Sequence, residues 1–137
     1  MRLKKWMVLS CAVVFIVGTM ACGGGKYADA KKLMKESNKI MENFLAGMEK
    51  AENAKEVATV LNDFAKAMQK IKPEMEKLEE KYPELTNRQS PPPELGEIGA
   101  KTMELWSKFP SVMMKAQKYA DDPEVQKAQE ELQNIFR

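Results

Sequence analysis

Apolar residues recur along this chain at helical spacing, and four stretches of that pattern account for most of it. From Tyr27 to about Ala51 they fall at Tyr27, Leu33, Met34, Ile40, Met41, Phe44, Leu45 and Met48. Tyr27, Met34, Met41 and Met48 stand seven apart, which predicts one stripe of an amphipathic helix packed in a bundle. Asn53 is a good N-cap, and Glu56 three residues later completes a capping-box-like start. The second stretch then carries two seven-residue ladders, Val57–Phe64–Ile71–Leu78 and Leu61–Met68–Met75–Tyr82. Pro73 should remove one backbone donor and kink that helix, and Pro83 should end it.

The segment 83–92 predicts the one long connection, after which Pro92 or Pro93 opens a third helix. Its expected buried face is Leu95, Ile98, Thr102, Leu105, Trp106, Phe109, Met113 and Ala116, with Pro110 a second kink. Asp122-Pro123-Glu124 predicts a helix start, with Asp122 as cap and Pro123 in the first turn. The fourth helix is short and should bury Val125, Ala128, Leu132, Ile135 and Phe136. No stretch alternates as a strand would. The predicted fold class is all-α, an up-down-up-down four-helix bundle over residues 27–137 with a short fourth helix.

Ahead of that pattern stands a different one. Met1-Arg2-Leu3-Lys4-Lys5 is cationic, an apolar run follows from Trp6 to about Val17, and Gly18-Thr19-Met20-Ala21-Cys22 brings small residues and a cysteine. This is the layout of a secretory signal. Trp6–Ala21 is shorter than the roughly 20 apolar residues of a membrane span. The tetrapeptide Thr19-Met20-Ala21-Cys22 resembles the lipobox of bacterial lipoproteins. It departs from the usual pattern at Thr19 and Met20 and fits at Ala21 and Cys22. The resemblance implies a signal peptide over 1–21, lipidation of Cys22, and a glycine-rich tether over 22–26. It also implies a membrane-anchored protein of the cell envelope. Where the host has two membranes, Gly23 rather than Asp after the cysteine implies the outer membrane, facing the periplasm. Cys11 leaves with the leader, so the mature chain holds one cysteine and no internal disulfide.

Removing Arg2, Lys4 and Lys5 takes the basic count from 22 to 19, against 20 acidic residues. Interspersed charge so close to neutrality carries no electrostatic footprint for nucleic acid. The chain has no histidine. That excludes Glu-x-x-His di-iron sites, the common zinc enzymes and His-activated nucleophiles. No catalytic residue is assigned, and the chain is read as non-enzymatic. Eight methionines follow Cys22, and thioethers bind Cu(I). Met34 and Met68, at similar heights across the turn at Glu52, are the one conceivable metal pair, although methionine more often fills gaps in a core.

The turn Glu49-Lys50-Ala51-Glu52-Asn53-Ala54-Lys55-Glu56-Val57, the proline-rich second connection and Glu124-Val125-Gln126-Lys127-Ala128-Gln129 are similar to the cytochrome b562 family. That resemblance implies the bundle, and in the family also a haem held by a methionine of helix one and a histidine of helix four. Here the methionine's position falls at Asn38 and histidine is absent, so no haem ligand and no cofactor is carried over. Leu85-Thr86-Asn87-Arg88-Gln89 matches the LTxxQ motif of Spy-like periplasmic chaperones. Three expectations of function stand together: a lipid-anchored helical protein that binds or scaffolds an envelope partner, a bundle that binds a small ligand or a metal, and a helical envelope chaperone. The domain over residues 26–137 is expected to purify colourless. A sharp six-coordinate absorption spectrum after incubation with haem, lost on replacing one methionine, would overturn that.

Overall fold

The computed structural model describes residues 25–86 and 92–135. Among them stand four α-helices and no strand: α1 (Ala28–Lys50), α2 (Ala54–Lys81), α3 (Gly96–Gln117) and α4 (Pro123–Ile135). Two short 3-10 turns, Pro83–Thr86 and Pro93–Leu95, occupy the long connection. Cys22, the residues 87–89 of the LTxxQ match and Phe136 lie outside the described residues.

The helices begin and end where the local chemistry directs. Asn53 Oδ1 accepts from the Glu56 amide at 3.0 Å, and Glu56 Oε2 accepts from the Glu52 amide at 2.8 Å. One orphan donor of the first turn of α2 and the amide just before its cap are thereby satisfied. Asp122 Oδ1 accepts from the amides of Glu124 and Val125 at 2.9 and 3.3 Å, which caps α4. Pro93 opens the 3-10 turn that runs into α3. Both α2 and α3 continue through their internal prolines, Pro73 and Pro110, whose rings are exposed to solvent.

The four helices form a bundle and alternate in direction. α1 packs on α2 and on α3, whereas α4 packs on α2. Contacts between α1 and α3 climb together, from Asn38–Thr102 and Glu42–Lys101 to Glu49–Lys115, so these two helices run parallel. Parallel helices here are close neighbours. The connection over residues 82–95 is long enough to carry the chain from the end of α2 to the far side of α1.

At the centre, Phe44, Phe64 and Phe109 meet from three helices. Ring centroids stand 4.4 Å apart for Phe44–Phe64, 5.5 Å for Phe44–Phe109 and 6.2 Å for Phe64–Phe109. Met41, Met48, Leu61, Met68, Ile71, Leu105, Val125 and Leu132 are buried around them. Near the first turn, Gly47 lets α1 and α2 approach. A Cβ there would lie 3.0 Å from both methyls of Val60, a β-branched side chain with little freedom to yield.

Several expectations need correction. Trp106 is 38% exposed, not buried. Only Leu105 and Ala116 of α3 are buried, because α3 is seated mainly on α1 and its inward arc is narrow. Met34, Ile40, Met75, Leu78 and Ile135 are half-buried at the edges of the apolar clusters rather than enclosed by them. The last is a residue the pattern passed over: Asn38 is buried, and it lies in the same ladder as Met34, Met41 and Leu45.

Truncating Phe64 to alanine is expected to destabilise the domain by about 3–5 kcal/mol in chemical denaturation, as for other buried aromatic side chains. Glu80→Gln, on the exposed end of α2, should change stability by less than about 0.5 kcal/mol. Similar small effects at both positions would contradict this packing.

Candidate functional site

The end of the bundle where α1 begins is the part nearest Cys22 in sequence, and it is tightly built. Tyr27 and Tyr82 are both buried, with ring centroids 5.1 Å apart. Ala30 and Leu95 complete a second apolar cluster with them, and Met34, Leu78 and Leu85 pack against it. Phenol hydroxyls at the edge of an apolar cluster need partners. The Tyr27 hydroxyl donates to Glu84 Oε1 at 2.8 Å. The Tyr82 hydroxyl lies 2.6 Å from the Lys26 carbonyl and 3.0 Å from Asp29 Oδ1, both acceptors for its single proton. Outside this layer stand two ion pairs, Lys26–Glu84 at 2.9 Å and Lys81–Asp29 at 2.5 Å. Both are largely exposed and screened by salt, so they orient the chain more than they stabilise it. Lys26, Tyr27 and Asp29 are thus tied to the end of α2 and the turn that follows it.

These contacts shift the carboxylates. Hydrogen bonding from Lys26, then from the backbone and Tyr27, lowers Glu84 to about 2. Lys81, followed by Tyr82 and the Ala30 amide, lowers Asp29 against an opposing effect of burial.

At the opposite end, α3 closes off α1. Lys115 Nζ donates to the Glu49 carbonyl and the Tyr119 hydroxyl to the Glu52 carbonyl, each at 2.8 Å. A cation at the negative end of a helix satisfies carbonyls that have no intrahelical partner.

Along the outer seam between α1 and α3 runs an open cleft of about 1030 Å³. Its walls carry Lys31, Lys35, Lys39, Lys101 and Lys108 beside Glu42, Glu49, Glu94, Glu97 and Glu104. Five charges of each sign balance. Lys101 Nζ spans the seam to Glu42 Oε1 at 2.6 Å, and that hydrogen bond raises the lysine pKa. On the cleft wall, the Thr102 hydroxyl lies 2.8 Å from Asn38 Oδ1 and 2.9 Å from the Ile98 carbonyl, two acceptors for its single proton, and the first ties α1 to α3 at one register. The position aligned with the haem-binding methionine therefore holds a buried amide facing α3.

Of the metal pair, Met68 is buried in the main core, and Met34 packs against the Tyr27–Tyr82 cluster. The two thioethers sit in different clusters. Among the described residues no group of three or more Asp, Glu, Cys or His side chains could hold a metal ion. No helix among them is long and apolar enough to cross a membrane. Comparison with protein-family models, with curated proteins and with solved structures gives no match to this chain.

Because Asp29 and Glu84 have depressed pKa values when folded, their contribution is present above the ordinary carboxylate range and is lost as pH falls through the folded values. The Tyr27–Tyr82 end should therefore loosen between about pH 4.5 and about 2. The near-ultraviolet tyrosine signal should follow that loss. In the double variant Asp29→Asn, Glu84→Gln the dependence in this window should disappear.

Proposed function

We propose that this chain is a lipid-anchored protein of the cell envelope, with the leader removed after Ala21 and diacylglycerol on the Cys22 thiol. Its work is to bind or scaffold a partner protein, and it catalyses no reaction. Where the host has two membranes, the domain faces the periplasm from the outer membrane, in keeping with Gly23 after the cysteine.

One observation carries most of this reading: Lys26, directly after Gly23-Gly24-Gly25, is already tied into the helical body through Glu84 and the Tyr82 hydroxyl. Leader, cysteine, short tether and helical body follow one another without an intervening domain. A single acyl chain gives only marginal attachment, whereas two or three make it effectively permanent. The domain therefore needs no apolar membrane segment of its own. The binding role draws support from the α1–α3 cleft, whose balanced rows of lysine and glutamate suit a charged protein surface better than an apolar small molecule.

Cys22→Ala tests the anchor directly. The variant should accumulate as unprocessed precursor and take up no radiolabelled palmitate, while the parent chain is processed and labelled. Equal processing and labelling of the two would sink the reading.

A further inference from the structure

α3 carries a face whose chemistry none of the preceding sites uses. At 100° per residue, Trp106, Ser107, Pro110 and Met114 lie within about 60° of Met103. No charged residue falls in that arc between Gly96 and Gln117, in a chain that is 31% charged. Met103 is 72% exposed and Met114 70% exposed, and they are among the largest exposed apolar side chains of the described surface. The charges of α3 stand elsewhere: Lys101, Glu104 and Lys108 line the α1–α3 cleft, and Lys115 caps α1.

Exposed methionine with tryptophan is the composition of interface centres, where charge is depleted. Two further observations select the occupant. In a parallel two-fold pairing each residue faces its own copy, so any charge on the shared stripe would meet its like. An uncharged stripe more than five turns long meets that requirement. The second observation is where the chain leaves the body. Leu95, at the start of α3, packs with Tyr27 and Tyr82, so α3 begins at the same end from which the tether emerges. Residues 22–26 span at most about 17 Å. Upright antiparallel pairing would raise one of the two exits by the length of α3, about 33 Å, beyond that reach. Parallel pairing leaves both exits at one surface.

We propose that two copies of this chain, anchored in one membrane, pair in parallel along the Met103–Pro110–Met114 face of α3. The proposal rests on the lipid-anchor reading. Confinement to a membrane raises the effective concentration of each copy for the other, so a modest interface suffices.

Disulfide trapping in membranes from cells expressing the full chain tests it. Met103→Cys and Met114→Cys, oxidised with copper-phenanthroline, should each give several-fold more linked dimer than Lys66→Cys, an exposed control on α2. Adding Met103→Glu to Met114→Cys should abolish the link by setting carboxylate against carboxylate, with helical circular dichroism unchanged. Yields at both sites no higher than the control would overturn the pairing, as would preferential linkage of residue 103 to residue 114 on coexpression, which reports antiparallel packing. A bilayer-sensitive fluorophore on Met103→Cys that reports lipid, without cross-linking, would assign the face to the membrane surface instead. Palmitate labelling of the same samples separates the two readings. Labelled chain that fails to cross-link sinks the pairing alone, and unlabelled chain sinks the anchor and the pairing with it.

Discussion

The contact of Phe44, Phe64 and Phe109 is the interaction on which the rest of this bundle depends. Three helices each send one aromatic ring to the same level, with 4.4 to 6.2 Å between centroids. Tilted rings at these distances gain electrostatically beyond the area they bury. Nothing covalent shares the load within the helical body, since no cysteine occurs after Cys22. Methionine fills the irregular space around the rings, with Met41, Met48 and Met68 buried beside them. An unbranched thioether adapts to a gap that leucine or isoleucine would leave or overfill.

Apolar packing of this kind is poor at choosing between neighbouring registers, and polar contacts supply the choice. At the α1–α3 seam the Thr102 hydroxyl stands between Asn38 Oδ1 and the Ile98 carbonyl, and sliding either helix would separate the buried Asn38 from it. Ties at both ends reinforce it: the paired tyrosines and Glu84 where α1 begins, and Lys115 and Tyr119 where α1 ends. Each joins residues more than fifty positions apart. The first set fastens the end of α2 beside the start of α1, and the second holds α3 and the turn after it against the end of α1.

That placement determines which surfaces are open for work. Seating α3 on α1 gathers five lysines and five glutamates into one cleft and turns the uncharged side of α3 outward. These two surfaces differ in kind: one balanced and charged, one apolar. Lys26 stands at the end built from Tyr27 and Tyr82, the same end at which α3 begins.

Helix existence and direction were legible in the sequence because they follow from local rules. The seven-residue ladders of Met41–Met48 and Leu61–Met68 mark buried stripes, and Asn53 and Asp122 mark starts, without reference to any distant residue. The same patterns could not show that α1 and α3 are neighbours, since periodicity reports which face is apolar and not which helix covers it. For the same reason Trp106 read as core: its spacing from Leu105 and Phe109 fits a stripe, but α3 presses a narrow arc against α1 and Trp106 falls outside it. Asn38 failed in the opposite sense, its ladder position masked by a polar side chain whose partner, Thr102, is 64 residues away. The tyrosine-and-carboxylate end was equally hidden, because Tyr27, Asp29, Tyr82 and Glu84 form a site only once α2 runs back along α1 and brings its end beside the start of α1. What the sequence determined alone was local, the helices with their caps and apolar faces. Tertiary structure decided which faces meet, because that depends on long-range packing that no short window contains.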